Sequence, residues 1–190
     1  ASGNLTSTDI WEYYNGATWV TATSAPSSTN NITISAGHTI ALQGNFTVGT
    51  GKTLTVAGTI NLAGNVISGG GSFVLNSAAS LKLGNNVSIA AAITTTTSTL
   101  NAAANYFYDG TVAQHTGGLP ASTVSTSTAN GSQNYTTTLT GNITVSNPEG
   151  VTMNQSIKLN TPGTLTVKST GKLLFGDGNV ASGTIASNTY

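Results

Sequence analysis

Apolar residues recur in pairs at i and i+2, and a new pair starts every six to eight residues. The pairs are Ile32/Ile34, Ile40/Leu42, Phe46/Val48, Leu54/Val56, Ile60/Leu62, Phe73/Leu75, Leu81/Leu83 and Val87/Ile89. After a gap come Ile143/Val145, Val151/Met153, Ile157/Leu159, Leu165/Val167 and Leu173/Phe175. A small or polar residue usually separates the two members, and only around Val66 does the pattern blur. A period of two with one apolar face is a β-strand, here only about three residues long. Between strands lie "SAGH", "GTGK", "SGGG", "NPEG", "TPG" and "STGK", which are turn residues, many suited to positive φ. No window has a helical period, and "SIAAAI" is too short for a helix. The chain is expected to be all-β.

Two architectures accommodate short strands at even spacing. An antiparallel β-sandwich places turns every 8–12 residues or so. A parallel β-helix, or β-solenoid, wraps two or three short strands into each coil. A spacing near seven is tight for a sandwich and natural for a solenoid. Three strands would give coils of about 21 residues and two would give about 14, and the sequence favours three without fixing the count or the handedness. Charge supports the solenoid. The 190 residues include five Lys, no Arg, three Asp and two Glu, against 56 Ser plus Thr, 20 Asn and 23 Gly. Stacked coils place like residues on like, and hydroxyls and amides tolerate this where charges repel.

"NITISAGHTIALQGNFTVGTGKTLTV" (31–56) and "NITVSNPEGVTMNQSIKLNTPGTLTV" (142–167) align without a gap, at an offset of 111 residues. They read as repeated structural modules. The organisation expected is an aromatic lead-in or cap over 1–30, coils of a first repeat over 31–103, an aromatic and Thr/Ser-rich insert over 104–141, and second-repeat coils with a tail over 142–190. Asn31, Asn45, Asn86 and Asn142 each stand one residue before a strand, where a coil corner and an amide ladder are expected. "YYNG" and "FYDG" resemble one device, aromatics followed by a hairpin turn. A solenoid must close its ends, because an open coil exposes apolar core and unpaired strand edges. The aromatics Trp11, Tyr13, Tyr14, Trp19, Tyr106, Phe107 and Tyr108 are therefore expected to cap the core, with glycan stacking as their alternative role.

Chemistry is sparse. The five carboxylates, Asp9, Glu12, Asp109, Glu149 and Asp177, are far apart in sequence, and His38 and His115 are isolated. A metal site needs three or four ligands. "GTGKT" at 49–53 lacks phosphate-loop spacing and a following helix. No catalytic, cofactor-binding or metal residue is assigned, and an enzyme is not expected. Scattered Lys without Arg disfavour nucleic acid. No apolar run approaches the roughly 20 residues of a membrane span. Without Cys, neither redox compartment is indicated. Thr-x-Thr occurs at Thr53/Thr55 and Thr164/Thr166, a pattern an ice-binding face would use, but Ala41, Asn61, Val74, Lys82 and Lys158 interrupt the outward positions.

"WEYYNGATWVTATSAPSSTNNITISAGHTI", then "ITTTTSTLNAAANYFYDGTVAQHTGGLPASTV" and "GVTMNQSIKLNTPGTLTV", resemble a repeat of the large Thr- and Gly-rich adhesin-like surface proteins of gliding and biofilm-forming bacteria of the type IX secretion group. The likeness covers residues 11–175. It implies an exported, cell-surface protein of repetitive β architecture that builds adhesins or filaments, and it carries over no catalytic residue. Such proteins usually run to many hundreds of residues with a C-terminal sorting domain, so these 190 residues are expected to be a fragment or an unusually short relative. The function expected is an extracellular structural or adhesive protein. Its partners would be its own copies or neighbouring repeats, with surface glycans as the alternative and ice as a third reading. The tail "NVASGTIASNTY" is expected to suit strand addition to a neighbour.

Overall fold

The structure, a computed structural model, describes residues 2–120, 124–126, 133–154 and 156–175. Strand β1 (Gly3–Asn4) is followed by an antiparallel hairpin of β2 (Glu12–Tyr14) and β3 (Trp19–Thr21). Coiling starts with β4 (Ile32–Ile34), β5 (Thr39–Ala41) and β6 (Phe46–Thr47), then β7 (Thr53–Val56), β8 (Thr59–Asn61) and the long, bent β9 (Ile67–Leu75). Next come β10 (Ser80–Lys82), the one-turn helix α1 (Ile89–Ala92), β11 (Ile93–Leu100), β12 (Asn105–Tyr108) and β13 (Gln114–His115). An antiparallel pair, β14 (Val124–Thr126) and β15 (Gln133–Leu139), leads to β16 (Ile143–Val145), β17 (Val151–Met153), β18 (Ser156–Leu159), β19 (Leu165–Val167) and β20 (Leu173–Phe175).

Apart from the two hairpins, all described pairings are parallel, which makes the chain a β-solenoid. Three sides recur in fixed order. Side A is one seven-stranded sheet, β1-β5-β8-β10-β12-β16-β19. Side B holds β6 and the first halves of β9 and β11, and later β13, β17 and β20. Side C holds β4, β7 and the second halves of β9 and β11, and later β15 and β18. Three strands per coil, the count the spacing favours over two, are present. The regular coils advance 19 to 22 residues, from Thr53↔Ser72 at the short end to Ile32↔Leu54 at the long end. The sandwich alternative is excluded.

Inward positions stack in register. On side A the column is Ile40, Ile60, Leu81, Tyr106, Ile143 and Leu165. The first five are at most 3% exposed, whereas Leu165 is 37% exposed because no described coil covers it. Side C stacks Ile34, Val56 and Leu75, which are all buried. Corners are tight. A Cβ on Gly58 would overlap the carbonyl oxygens of His38 and Ser35 in the preceding coil.

The local differences from expectation have physical causes. "SIAAAI" does form a helical turn, because the Ser88 side chain accepts a hydrogen bond from Ala91 N and Ile89 and Ala92 bury themselves. Val87 is exposed, so the pair Val87/Ile89 is not a strand. The blur at Val66 is a one-residue phase slip, with Ile67 taking the inward place. "YYNG" turns a hairpin, but "FYDG" does not. β12 is a parallel rung between β10 and β16, since Tyr106 and Tyr108 continue the inward columns. Helix α1, β11 and the 118–120 loop also border a groove of about 480 Å³.

The two repeated stretches fold alike but not in the same place. Ile32 opens the first on side C, paired with Leu54, and Ile143 opens the second on side A, paired with Tyr106. Each later strand is shifted by one side in the same sense. The repeat thus encodes successive sides, and the longer coils between the copies turn the second by a third of a coil.

Stack position sets the cost of truncation. Leu81→Ala, in mid-stack, is expected to destabilise by about 2–5 kcal/mol. Leu165→Ala, at the uncovered coil, should cost no more than about 1 kcal/mol. Denaturant melts of the two variants check this.

Candidate functional site

Three assemblies of polar or aromatic side chains stand out: the corner amides, the N-terminal aromatics and an outward hydroxyl face. The corner amides join coil to coil. Asn31 Oδ1 accepts from Thr53 N at 2.9 Å, and Asn45 Oδ1 accepts from Val66 N at 2.9 Å. Asn142 Oδ1 accepts from Thr164 N at 3.0 Å, while its Nδ2 donates to Asn105 Oδ1 at 2.8 Å. These residues occupy three different corners, before sides C, B and A respectively.

Asn86 belongs to a continuous ladder at the corner between sides A and B. Asn65 Nδ2 donates to Leu62 O at 3.0 Å, and Asn86 Nδ2 to Asn65 O at 2.9 Å. Gln114 Nε2 donates to Asn86 O at 2.6 Å, and Asn147 Nδ2 to Gln114 Oε1 at 2.7 Å. Gln114 and Asn147 are buried, so each bond also removes the penalty of an unpaired buried amide. Asn65, Gln114 and Asn147 escaped the sequence reading, and so did Asn105. The ladder's steps are 21, 28 and 33 residues and mix two residue types, leaving no period to detect. Asn45 stands opposite Val66 rather than Asn65, one residue out of the ladder's register.

The aromatic set divides. Trp11 packs partly buried against the core with Ile10, and its Nε1 donates to Leu5 O at 3.2 Å. Leu5, Ile10 and Trp11 close the N-terminal coil. Tyr13, Tyr14 and Trp19 lie on the hairpin and are 51, 55 and 66% exposed. Tyr106 and Tyr108 lie inside the stack, and Phe107 faces outward between them, half-buried. The structure therefore brings Tyr14 and Trp19 together, with ring centroids 5.6 Å apart, and separates them from the 106–108 group. Burial pushes the phenols of Tyr106 and Tyr108 above their ordinary pKa, Tyr108 further, with its neighbour Tyr106 adding to the effect.

Outward rows differ by side. Side A carries Ala41, Asn61, Lys82, Phe107, Thr144 and Thr166 in one row. Side C carries Thr33, Thr55, Val74 and Thr99 in one row and Thr53, Ser72 and Thr97 in another. Of the interruptions foreseen in the Thr pattern, only Val74 falls in these side C rows. Lys158 is on β18, opposite Thr138.

Charge chemistry is thin. Lys82 Nζ lies 3.3 Å from Asp109 Oδ2, in a partly exposed pair worth no more than about 1 kcal/mol. Asp9, Glu12 and Glu149 stand on other elements, and Asp177 lies outside the described residues. Among the described residues, no group of three or more His, Asp or Glu is placed to hold a metal ion. No helix of the described residues is long and apolar enough to cross a membrane. Comparison with protein-family models, curated proteins and solved structures finds no match. The parallel β-solenoid is the feature this chain shares with adhesin-type repeat proteins, and it is not specific to them.

The two interior tyrosines differ in one atom's surroundings. Tyr106 Oη donates to Asn101 O at 2.7 Å, whereas Tyr108 Oη is buried with no protein partner. Tyr106→Phe should lose about 0.5–1.5 kcal/mol of stability. Tyr108→Phe should be neutral or gain up to about 1–3 kcal/mol by removing an unsatisfied hydroxyl. Paired thermal melts test the contrast.

Proposed function

We propose that this chain is a non-catalytic, load-carrying segment of an extracellular structural or adhesive protein, built to continue a stack of β-coils. The observation that carries the reading is the contrast between the two ends. At the N-terminal end Leu5 is buried and covered by Ile10 and Trp11. At the other end Leu165 and Val167, which continue inward columns, are 37 and 44% exposed, and β18, β19 and β20 each pair on one edge only among the described strands. A parallel coil laid on this end would repeat the register found in every coil beneath it.

The composition supports an extracellular setting. A surface wet by hydroxyls and amides, with charged residues at 5%, suits a repetitive exported protein, as does the resemblance to adhesin-like repeats. The tail reading at "NVASGTIASNTY" lies outside the described residues.

The added coil comes from the same polypeptide or from a second molecule. A continuing polypeptide supplies a parallel coil. Separate copies cannot join head to tail without displacing the Ile10 and Trp11 plug, so they are expected to meet end to end, with antiparallel edge strands, through the end left uncovered among the described residues. Sedimentation and negative-stain electron microscopy over a concentration series should show short rods that double in length. A Leu165→Lys, Val167→Lys double variant should stay single. Identical behaviour of the two proteins at every concentration would sink the reading of the open end as a stacking surface.

Ice binding is a second reading, favoured by one observation. The outward rows of β4, β7, β9 and β11 on side C carry Thr and Ser, with Val74 and no charge, and the Lys and Asn of the side A row do not break them; Lys158 enters side C only later, on β18. Thermal hysteresis that Thr55→Lys abolishes would support it; no hysteresis in the wild-type chain would remove it.

A further inference from the structure

The hairpin of β2 and β3 does nothing for the core. Its register pairs Glu12 with Thr21, Tyr13 with Val20 and Tyr14 with Trp19. Alternation places Glu12, Tyr14, Trp19 and Thr21 on one face. All four are exposed, and the two rings are tilted by 52°. The presentation is nevertheless firm. At the tip, Asn15 Oδ1 accepts from Ala17 N and Thr18 N, Asn15 N donates to Thr18 O, and Gly16 takes the positive φ the turn requires. At the base, Ala22 N donates to Trp11 O at 2.8 Å, and Trp11 is itself tied to Leu5 O. The exposed pair is thus clamped to the capped end of the solenoid.

We propose that the Tyr14–Trp19 face is a binding site for a neutral carbohydrate chain. Full burial of an aromatic side chain is worth about 1.5–3 kcal/mol, and here two adjacent rings leave most of that unused. A protein partner fits poorly. A specific interface takes about 800 Å² and 20–30 residues on each side, whereas this face is one hairpin with three residues in each strand. It also sets a carboxylate and a hydroxyl, the Glu12–Thr21 pair, beside the paired rings. A pyranose matches that chemistry, since its C–H face lies on a ring and its rim hydroxyls donate to Glu12 or exchange hydrogen bonds with Thr21. The angle between the rings suits successive sugars turned relative to one another. Glu12 is the one charged group on the hairpin, so an acidic saccharide is repelled.

The site is independent of coil stacking, and one experiment separates the two. The full chain is titrated with cello-, chito-, xylo- and mannohexaose and with oligogalacturonate, by calorimetry and tryptophan fluorescence. At least one neutral hexaose is expected to bind and to shift emission to shorter wavelength, through Trp19. Tyr14→Ala and Trp19→Ala should each weaken binding tenfold or more with an unchanged circular dichroism spectrum, because exposed residues contribute little to stability. Leu165→Lys should bind like the wild type. The proposal is overturned if none of the neutral hexaoses binds at millimolar concentration, if only oligogalacturonate binds, or if either aromatic variant retains wild-type affinity.

Discussion

Everything in this molecule depends on the register between one coil and the next. A side contributes about two inward residues, far too few to bury themselves, so Ile60 is shielded only because Ile40 and Leu81 lie on either side of it. Burial is a property of the stack, as in other repeat architectures. The same parallel pairing that aligns the inward columns aligns the outward rows about 4.8 Å apart. That spacing explains the composition. A row of like charges at this distance is unfavourable, while Thr144 beside Thr166 is tolerated. Lys82 stands in a row between Asn61 and Phe107 and answers to Asp109.

Corners carry the second constraint. Three times in a coil the chain turns sharply, and each turn leaves backbone groups that no strand satisfies. Side-chain amides take them up. Asn31, Asn45 and Asn142 reach across to the next coil's backbone N–H, and the interior ladder from Asn65 to Asn147 runs from coil to coil at one corner. These bonds hold register where the strands cannot. They make Asn abundance a consequence of geometry.

The solenoid and most strands were legible because one rule, an apolar pair about every seven residues, applies on every side. The same rule favoured three sides per coil over two but could not fix the count, since every side reads alike. What escaped the reading was whatever depends on which side a strand occupies. "YYNG" and "FYDG" look alike, yet Tyr106 and Tyr108 face the interior while Tyr14 faces solvent, and only the stacking partner decides between them. The Thr rows of side C could not be separated from the Lys-bearing row of side A in one dimension. The ladder was invisible beyond Asn86 because its members follow the contour of irregular coils, with no fixed period. Helix α1 was missed because a single capped turn, supported by burial of Ile89 and Ala92, needs no helical periodicity.

The offset of the two repeats by one side shows why such a scaffold can acquire function. The three sides have the same inward requirement, so a stretch that serves on side C serves equally on side A. Length between sides is consequently free, provided the next strand re-enters in register. The β2–β3 hairpin, helix α1 and strand β14, which pairs antiparallel with the side C strand β15, are all such additions. A strand position is held by neighbours above and below and has little latitude for chemistry. An insertion is held only at its base and can present rings, hydroxyls or a carboxylate outward. Recognition in this chain is therefore to be sought on its insertions, and the clamped, exposed Tyr14–Trp19 face is the described insertion that presents a paired aromatic surface.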